Sequence, residues 1–154
     1  MHGKRHGIGT ETWDDGSYYS GDWEKDIKQG TGTWSFKTGN VYRGNISENR
    51  VEGVGCMTYH NGDIYTGAFS FGVREGKGRC VYANGDCFEG DWHMDKEHGR
   101  GQWSFAAGTD QLNSDGLLEK TPFAEYSTYV GQVYAGCLEG HGELTLKNGD
   151  VYKV

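Results

Sequence analysis

The chain has 154 residues, a formal net charge of −7 at pH 7 and 27 glycines, where average usage would give about 11. Its low hydrophobic content of 34% is typical of disordered chains. Its high aromatic content, 6 Phe, 5 Trp and 10 Tyr, argues instead for a folded protein. The acidic balance disfavours nucleic-acid binding, and no apolar run approaches the roughly 20 residues of a membrane span. The four cysteines include no CxxC pair and are expected to be reduced thiols in a soluble single domain.

A period of 23 residues runs along the sequence. The aromatic residue that opens each unit recurs at Tyr19, Tyr42, Tyr65, Phe88, Tyr129 and Tyr152. The spacing is 23 residues everywhere except between Phe88 and Tyr129, where it is 41, one period plus 18. Glycines recur with the same spacing at four further positions of the repeat unit, here called columns. One column consists of Gly21, Gly44, Gly67, Gly90 and Gly131. A fixed period of this length predicts a repeat architecture.

Each unit alternates with period two, which predicts half-buried strands rather than helices. In the first full unit Tyr19 and Trp23 share one face of a strand, and Trp34 and Phe36 share one face of the next. Glycines beside these rings leave space for a ring from the neighbouring strand. We therefore predict that Gly67→Val or Gly90→Val damages folding.

Pairs of turn residues separate the units. Asn-Gly and Asp-Gly favour the type I′ hairpin turn, in which both central residues have positive φ. These pairs are Asp15-Gly16, Asn61-Gly62, Asn84-Gly85 and Asn148-Gly149. The predicted fold class is all-β: an elongated, single-layer, twisted antiparallel β-meander of tandem 23-residue hairpins. Eleven to twelve strands at about 4.8 Å each give a sheet roughly 50–55 Å long.

The whole chain is predicted to be one repeat array. Its parts are a half repeat (4–18), four repeats (19–41, 42–64, 65–87 and 88–108), an insertion (109–126), a further repeat (129–151) and a stub (152–154).

The pattern resembles the MORN repeat (membrane occupation and recognition nexus), whose consensus is close to Y-x-G-x-W-x-x-G-x-x-H-G-x-G. The chain departs from that consensus in two columns. The consensus histidine is present as His6 and His98 but replaced by Gln29, Glu52, Glu75 and Glu139. The consensus tryptophan is present as Trp23 and Trp92 but replaced by Ile46, Phe69 and Val133, so the middle repeats are expected to be locally weaker.

No catalytic or metal-binding arrangement is predicted. Gly76-Lys77-Gly78 lies in the repeat columns and lacks the rest of a phosphate-binding loop. Cys56 and Cys80 are expected on opposite faces of the sheet, and a zinc site needs four converging ligands. The sequence therefore predicts a non-enzyme without a cofactor.

Two binding hypotheses remain. The first is a protein-interaction scaffold that uses its aromatic face, since exposed apolar surface marks interaction sites. The candidate residues are Tyr19, Trp23, Trp34, Phe36, Tyr42, Tyr59, Tyr65, Phe69, Tyr82, Phe88, Trp92, Trp103, Phe105 and Tyr129. The alternative is a peripheral membrane module that binds anionic phospholipids or phosphoinositides, as the family's name implies. Its weak candidates lie in hairpin loops that also hold acids: Lys4, Arg5, Lys28, Arg50, Arg74, Lys77, Lys96 and Arg100.

The insertion carries the apolar residues Leu117, Leu118 and Phe123, which either pack back on the sheet or form a partner-docking loop. Deleting it and restoring a tight turn is expected to leave the sheet folded. Open edge strands also permit end-to-end self-association. The resemblance implies partners in a cytoskeletal assembly, in particular the axoneme of a cilium or flagellum with its radial spokes, and hence a cytoplasmic location.

Overall fold

The computed structural model of the chain describes residues 3–106, 111–112, 118–119 and 126–154. Twelve of its strands form one antiparallel sheet in which each strand pairs with its neighbours in the order of the chain, and the other two pair with each other. The all-β meander predicted from the sequence is confirmed. The strands are β1 (Gly7–Thr12), β2 (Tyr18–Glu24), β3 (Ile27–Ser35), β4 (Val41–Ser47), β5 (Arg50–Thr58), β6 (Ile64–Ser70), β7 (Val73–Val81), β8 (Cys87–His93), β9 (Lys96–Ser104), β10 (Gln111–Leu112), β11 (Leu118–Glu119), β12 (Tyr126–Tyr134), β13 (Cys137–Leu146) and β14 (Val151–Lys153).

The register of the sheet places glycine opposite glycine in every pair of neighbouring strands from β1 to β13. This glycine lane runs through Gly9, Gly21, Gly32, Gly44, Gly55, Gly67, Gly78, Gly90, Gly101, Gly131 and Gly142. The opening ring of each repeat lies over the lane. A Cβ atom added to Gly32 would lie 2.6 Å from Cε2 and Oη of Tyr19.

The turns between repeats are not type I′, so that prediction is wrong. In the turn after β5, the Tyr59 amide donates to the Asp63 carbonyl at 2.8 Å, and the Gly62 amide donates to the Tyr59 carbonyl at 3.0 Å. Gly62 alone has positive φ, at 98°. This is a type I turn followed by a glycine bulge, the usual three-residue hairpin loop.

Type I′ turns lie instead at the opposite edge, inside each repeat. There both residues of a two-residue loop have positive φ, as in Lys25 (50°) with Asp26 (68°) and Met94 (47°) with Asp95 (67°). The amide of the second residue also donates to the previous hairpin, as from Asp95 to the Arg74 carbonyl at 3.1 Å. The within-repeat turns are therefore bonded to one another along this edge.

An irregularity in the second strand of each repeat interrupts the ladder just beyond the glycine lane. In the first full repeat the register shifts between Gly21 and Trp23, and Gly30 in the partner strand has a φ of 110°. The Asp22 carboxylate caps the shift by accepting from the Thr31 amide at 2.9 Å. The recurrent carboxylate at this column thus has a structural role.

The core is a single layer of rings on one face of the sheet, here called the aromatic face. Tyr19, Tyr42, Tyr65 and Phe88 are fully buried, at 0% exposure. The Tyr19 hydroxyl donates to the Asp22 carbonyl at 2.8 Å, which satisfies its buried polar atom. The aromatic layer is therefore the hydrophobic core of the twelve-stranded sheet.

The sheet curls around the aromatic face. A cavity of about 320 Å³ is lined by Phe36 and Asn40, near the between-repeat edge, and also by Gly72 and Asp95 from turns at the within-repeat edge. Residues from opposite ends of the strands therefore approach each other across this face, which forms a groove.

Little of the insertion lies within the described residues. Gln111–Leu112 and Leu118–Glu119 pair as a two-stranded ribbon separate from the main sheet. Leu117 and Phe123 and the side chain of Leu118 lie outside the described part, so their packing or docking role stays a prediction.

Candidate functional site

The structure brings all fourteen aromatic candidates into one layer. Eight belong to the buried core, among them Trp23 (4% exposed) and Trp92 (3%). The other six pack against it and are partly exposed: Trp34, Phe36, Tyr59, Tyr82, Trp103 and Phe105. These six form the accessible floor of the groove.

Ring geometry differs between the two halves of the layer. Over the glycine lane the rings meet edge to face, as Tyr65 does with Trp92 at a centroid distance of 5.1 Å and 82°. Towards the between-repeat edge they stack. Trp103 lies 5.4 Å from Tyr82 at 16° and 6.0 Å from Phe105 at 1°. Both arrangements are favourable for ring quadrupoles.

Buried polar groups in this layer are shifted towards their neutral forms. Burial raises the pKa of the Tyr42 hydroxyl and of the Cys80 thiol to about 12 each, so both are uncharged at neutral pH. Burial also raises the pKa of the Glu97 carboxyl above its ordinary value. A thiol with a raised pKa is a poor nucleophile, so Cys80 is a core residue.

Two long cations lie inside the aromatic layer, which sequence reasoning missed. Lys28 is 9% exposed, and its Nζ lies 4.8 Å from the Trp34 ring centroid and 5.1 Å from those of Trp13 and Trp23. Burial lowers the pKa of this ammonium. The signal was in the register, since Lys28 is opposite Trp23 across a two-residue turn and so shares its face.

Arg74 occupies the same column two repeats later. Its guanidinium carbon lies 4.6 Å from the Trp92 ring centroid and 5.2 Å from that of Tyr59, and Nε donates to Asp95 Oδ1 at 3.2 Å. Cation–π contacts of this kind gain strength when the cation is desolvated. Lys28 and Arg74 thus line the groove and do not lie on an outward-facing charged edge.

The remaining lipid-contact candidates are exposed: Lys4, Arg5, Arg50, Lys77, Lys96 and Arg100. Three of these pair with acids. Arg5 Nη1 lies 2.6 Å from Glu11 Oε2, Arg50 Nη2 lies 3.2 Å from Glu48 Oε2, and Lys77 pairs with Asp91. The pairing reduces the positive charge offered to an anionic surface.

The column that replaces the consensus histidine acts on the face opposite the rings. Glu52 Oε2 accepts from the Phe71 amide at 2.8 Å, and Glu75 Oε2 accepts from the Met94 amide at 2.7 Å. These hydrogen bonds hold the pKa of the Glu75 carboxyl below its ordinary value, with a contribution from His93. Each acceptor supports the next within-repeat turn, and Gln29 Oε1 does the same by accepting from the Glu48 amide at 2.9 Å.

The part of the chain that the structure describes holds no group of three or more His, Cys, Asp or Glu residues arranged to bind a metal ion. It also holds no helix long and apolar enough to cross a membrane.

The family model for the MORN repeat matches residues 1–18, 19–41, 42–64, 65–87, 88–110 and 129–151. The chain is a MORN-repeat protein. Comparison with curated proteins finds no match. MORN repeats are consistent with a protein-interaction or membrane-binding module, and their all-β fold is typically non-catalytic.

Proposed function

We propose that this MORN-repeat protein is a non-catalytic scaffold whose aromatic groove binds other proteins. The observation that carries the proposal is the row of six partly exposed rings on the groove floor, with Trp34 and Phe36 at one end and Trp103 and Phe105 at the other. Aromatic side chains in a partly desolvated depression are typical anchors of protein interfaces.

The acids that recur from repeat to repeat favour binding over catalysis. A catalytic acid or base would have an environment unlike its equivalents in other repeats. Here the recurrent acids cap backbone amides: Asp22 accepts from Thr31, and Asp63 Oδ1 accepts from Ala83 at 2.9 Å. Repetition therefore explains them without a reaction.

The family resemblance supports a setting in the cytoskeleton, in particular the axoneme of a cilium or flagellum. There a rigid array that presents one continuous groove would hold several partners in fixed order. End-to-end association of arrays through their edge strands is compatible with this role.

The test is comparative partner capture from axoneme-containing cells. Phe36→Ser removes one partly exposed ring from the groove floor. The control, Val54→Ser, changes the opposite face of the sheet, where Val54 is 60% exposed. We expect wild type and Val54→Ser to retain the same axonemal proteins and Phe36→Ser to lose them while keeping its β circular-dichroism spectrum. Equal capture by all three proteins would refute binding through the groove.

Membrane attachment is the second candidate, and one feature favours it. Phe71 (69% exposed) and Met94 (68%) project from adjacent within-repeat turns, near the exposed basic residues Arg50 and Lys96. Flotation with phosphoinositide-containing vesicles tests this reading. Binding that is lost in Phe71→Ser and in high salt would support it, and absence of flotation near physiological salt would eliminate it.

A further inference from the structure

One column of the repeat fills the aromatic groove with side chains that differ from repeat to repeat. Its members are Arg5, Lys28, Val51, Arg74, Glu97 and Leu138. In three repeats the chain supplies a cation: Arg5 lies 4.1 Å from the Trp23 ring centroid, Lys28 lies among several rings, and Arg74 lies over Tyr59 and Trp92. The groove of this fold is therefore chemically suited to a basic side chain.

The Leu138 position lacks such a cation and has a cavity of about 400 Å³. This second cavity is lined by described residues at the same repeat positions as those that line the first cavity, the one that contains Arg74. Asn40, Met57, Tyr59, Gly72 and Arg74 in the first cavity correspond to Asp86, Trp103, Phe105, Gly136 and Leu138 in the second. The internal guanidinium is replaced by a shorter apolar side chain, while the aromatic floor is enlarged from Met57 to Trp103.

The substitutions around the second cavity also change its charge. Asp86 stands where the first cavity has the neutral Asn40. The described lining of the second cavity has no counterpart of the Arg74–Asp95 ion pair, so its one charged residue is this acid, whose Oδ1 accepts from the Ala106 amide at 2.8 Å. Glu97 is a second nearby acid. Its Oε2 would lie 3.1 Å from a Cβ atom on Gly136, a residue of the cavity wall. Two carboxylates beside stacked rings form a surface complementary to a cation.

The same stretch of the groove holds unpaired polar atoms. Among the described residues, the buried side-chain atoms without a hydrogen-bond partner are Tyr82 Oη and Trp103 Nε1. Their rings stack on each other with centroids 5.4 Å apart. Buried donors of native proteins are nearly always paired, so these two atoms set this part of the groove apart from the rest of the aromatic layer.

We propose that the cavity at Trp103, Phe105 and Asp86 binds a lysine or arginine side chain presented by a partner protein. The cation takes the place that Arg74 fills in the equivalent cavity, beside the stacked rings of Trp103 and Phe105. This inference rests on the proposed function, because it names the partner chemistry of one site within the same groove.

The test follows the five tryptophan indole N–H signals of the full chain by NMR, with the Trp103 signal assigned from Trp103→Phe. The probes are the capped peptides Gly-Gly-Arg-Gly-Gly and Gly-Gly-Lys-Gly-Gly, and the control is the arginine peptide with citrulline, which is neutral and nearly isosteric. We expect a saturable shift of the Trp103 signal with both basic peptides and at least tenfold weaker binding of the citrulline peptide. No saturable shift, or equal binding of the citrulline peptide, overturns the proposal.

Two variants locate the site. Leu138→Lys places an internal cation in the cavity and is expected to abolish the Trp103 shift while the chain stays folded. The matched control Val54→Lys adds the same charge on the opposite face, where Val54 is exposed, and should bind like wild type. Retained binding by Leu138→Lys contradicts the site. Axonemal partner capture that depends on Phe36 without any response at Trp103 refutes this inference alone and leaves the proposed scaffold intact.

Discussion

Gly32→Ala tests whether the aromatic ring of one repeat needs the glycine lane beneath it. The added Cβ would lie 2.6 Å from Cε2 and Oη of Tyr19, about 1 Å inside the optimal contact distance. Tyr19 has 0% exposure and donates to the Asp22 carbonyl, so its ring cannot retreat without losing packing and that hydrogen bond. Overpacking costs about 1–3 kcal/mol and the hydrogen bond contributes about 0.5–1.5 kcal/mol, which gives a predicted loss of about 1.5–4.5 kcal/mol.

Gly9→Ala is the matched control. Gly9 belongs to the same lane, but its added Cβ would lie 3.4 Å from the nearest atoms, Cδ1 and Nε1 of Trp23, an ordinary contact. Neither Gly9 nor Gly32 has positive φ, so the pair differs in steric surroundings and not in backbone strain. Gly9→Ala is expected to change stability by less than about 0.5 kcal/mol.

Urea unfolding followed by circular dichroism measures both variants. A loss of about 3 kcal/mol corresponds to a fall in Tm of roughly 10 °C for a chain of this size. The double variant with Tyr19→Ala should show coupling, since removing the ring removes the clash. Equal unfolding midpoints for Gly32→Ala and Gly9→Ala would refute the account of the lane.

Three further predictions concern charge and turn geometry. Burial raises the pKa of Glu97, so ionised Glu97 destabilises the fold at neutral pH. Glu97→Gln should therefore be more stable than wild type at pH 8, and this difference in stability should vanish by about pH 4, where Glu97 is largely protonated in both the folded and unfolded states. Burial lowers the pKa of Lys28, so the stability of wild type relative to Lys28→Met, measured by thermal unfolding, should rise as the pH approaches about 10.4. A difference that stays constant with pH would contradict this. Gly62 has a φ of 98°, so Gly62→Ala should lower the free energy of unfolding by about 1–3 kcal/mol and Gly62→Asn by less, and equal losses would be inconsistent with a left-handed requirement.

The sequence predicted the repeat, the meander and the ring-bearing face because all three follow from period and alternation. Tyr19, Trp23 and Trp34 share a face in the structure as their spacing required. The column of glycines was predicted as space for rings. That glycines would face one another across each strand pair depended on register, which the turns determine.

The type I′ prediction falls on the wrong edge of the sheet because an Asn-Gly or Asp-Gly pair does not by itself determine the loop length. Asn61-Gly62 lies in a three-residue loop, where the glycine alone needs positive φ. The type I′ turns have Asp26 and Asp95, among others, as their second residue. The burial of Lys28 could not be predicted from its charge, because it depends on the face on which the two-residue turn places this residue.

The backbone hydrogen bonds between successive within-repeat turns give the array a fixed spacing and a fixed rotation from one repeat to the next. Each repeat adds two strands, about 9.6 Å of length, and a rotation of roughly 40–50° from the natural twist of paired strands. Equivalent positions such as Lys28 and Arg74, two repeats apart, are therefore offset in angle as well as in distance. A straight, stiff ligand would meet few equivalent positions in succession, whereas a flexible segment that winds with the twist would meet them all. Gain or loss of one 23-residue unit would thus shift and turn every groove position beyond it by a fixed step.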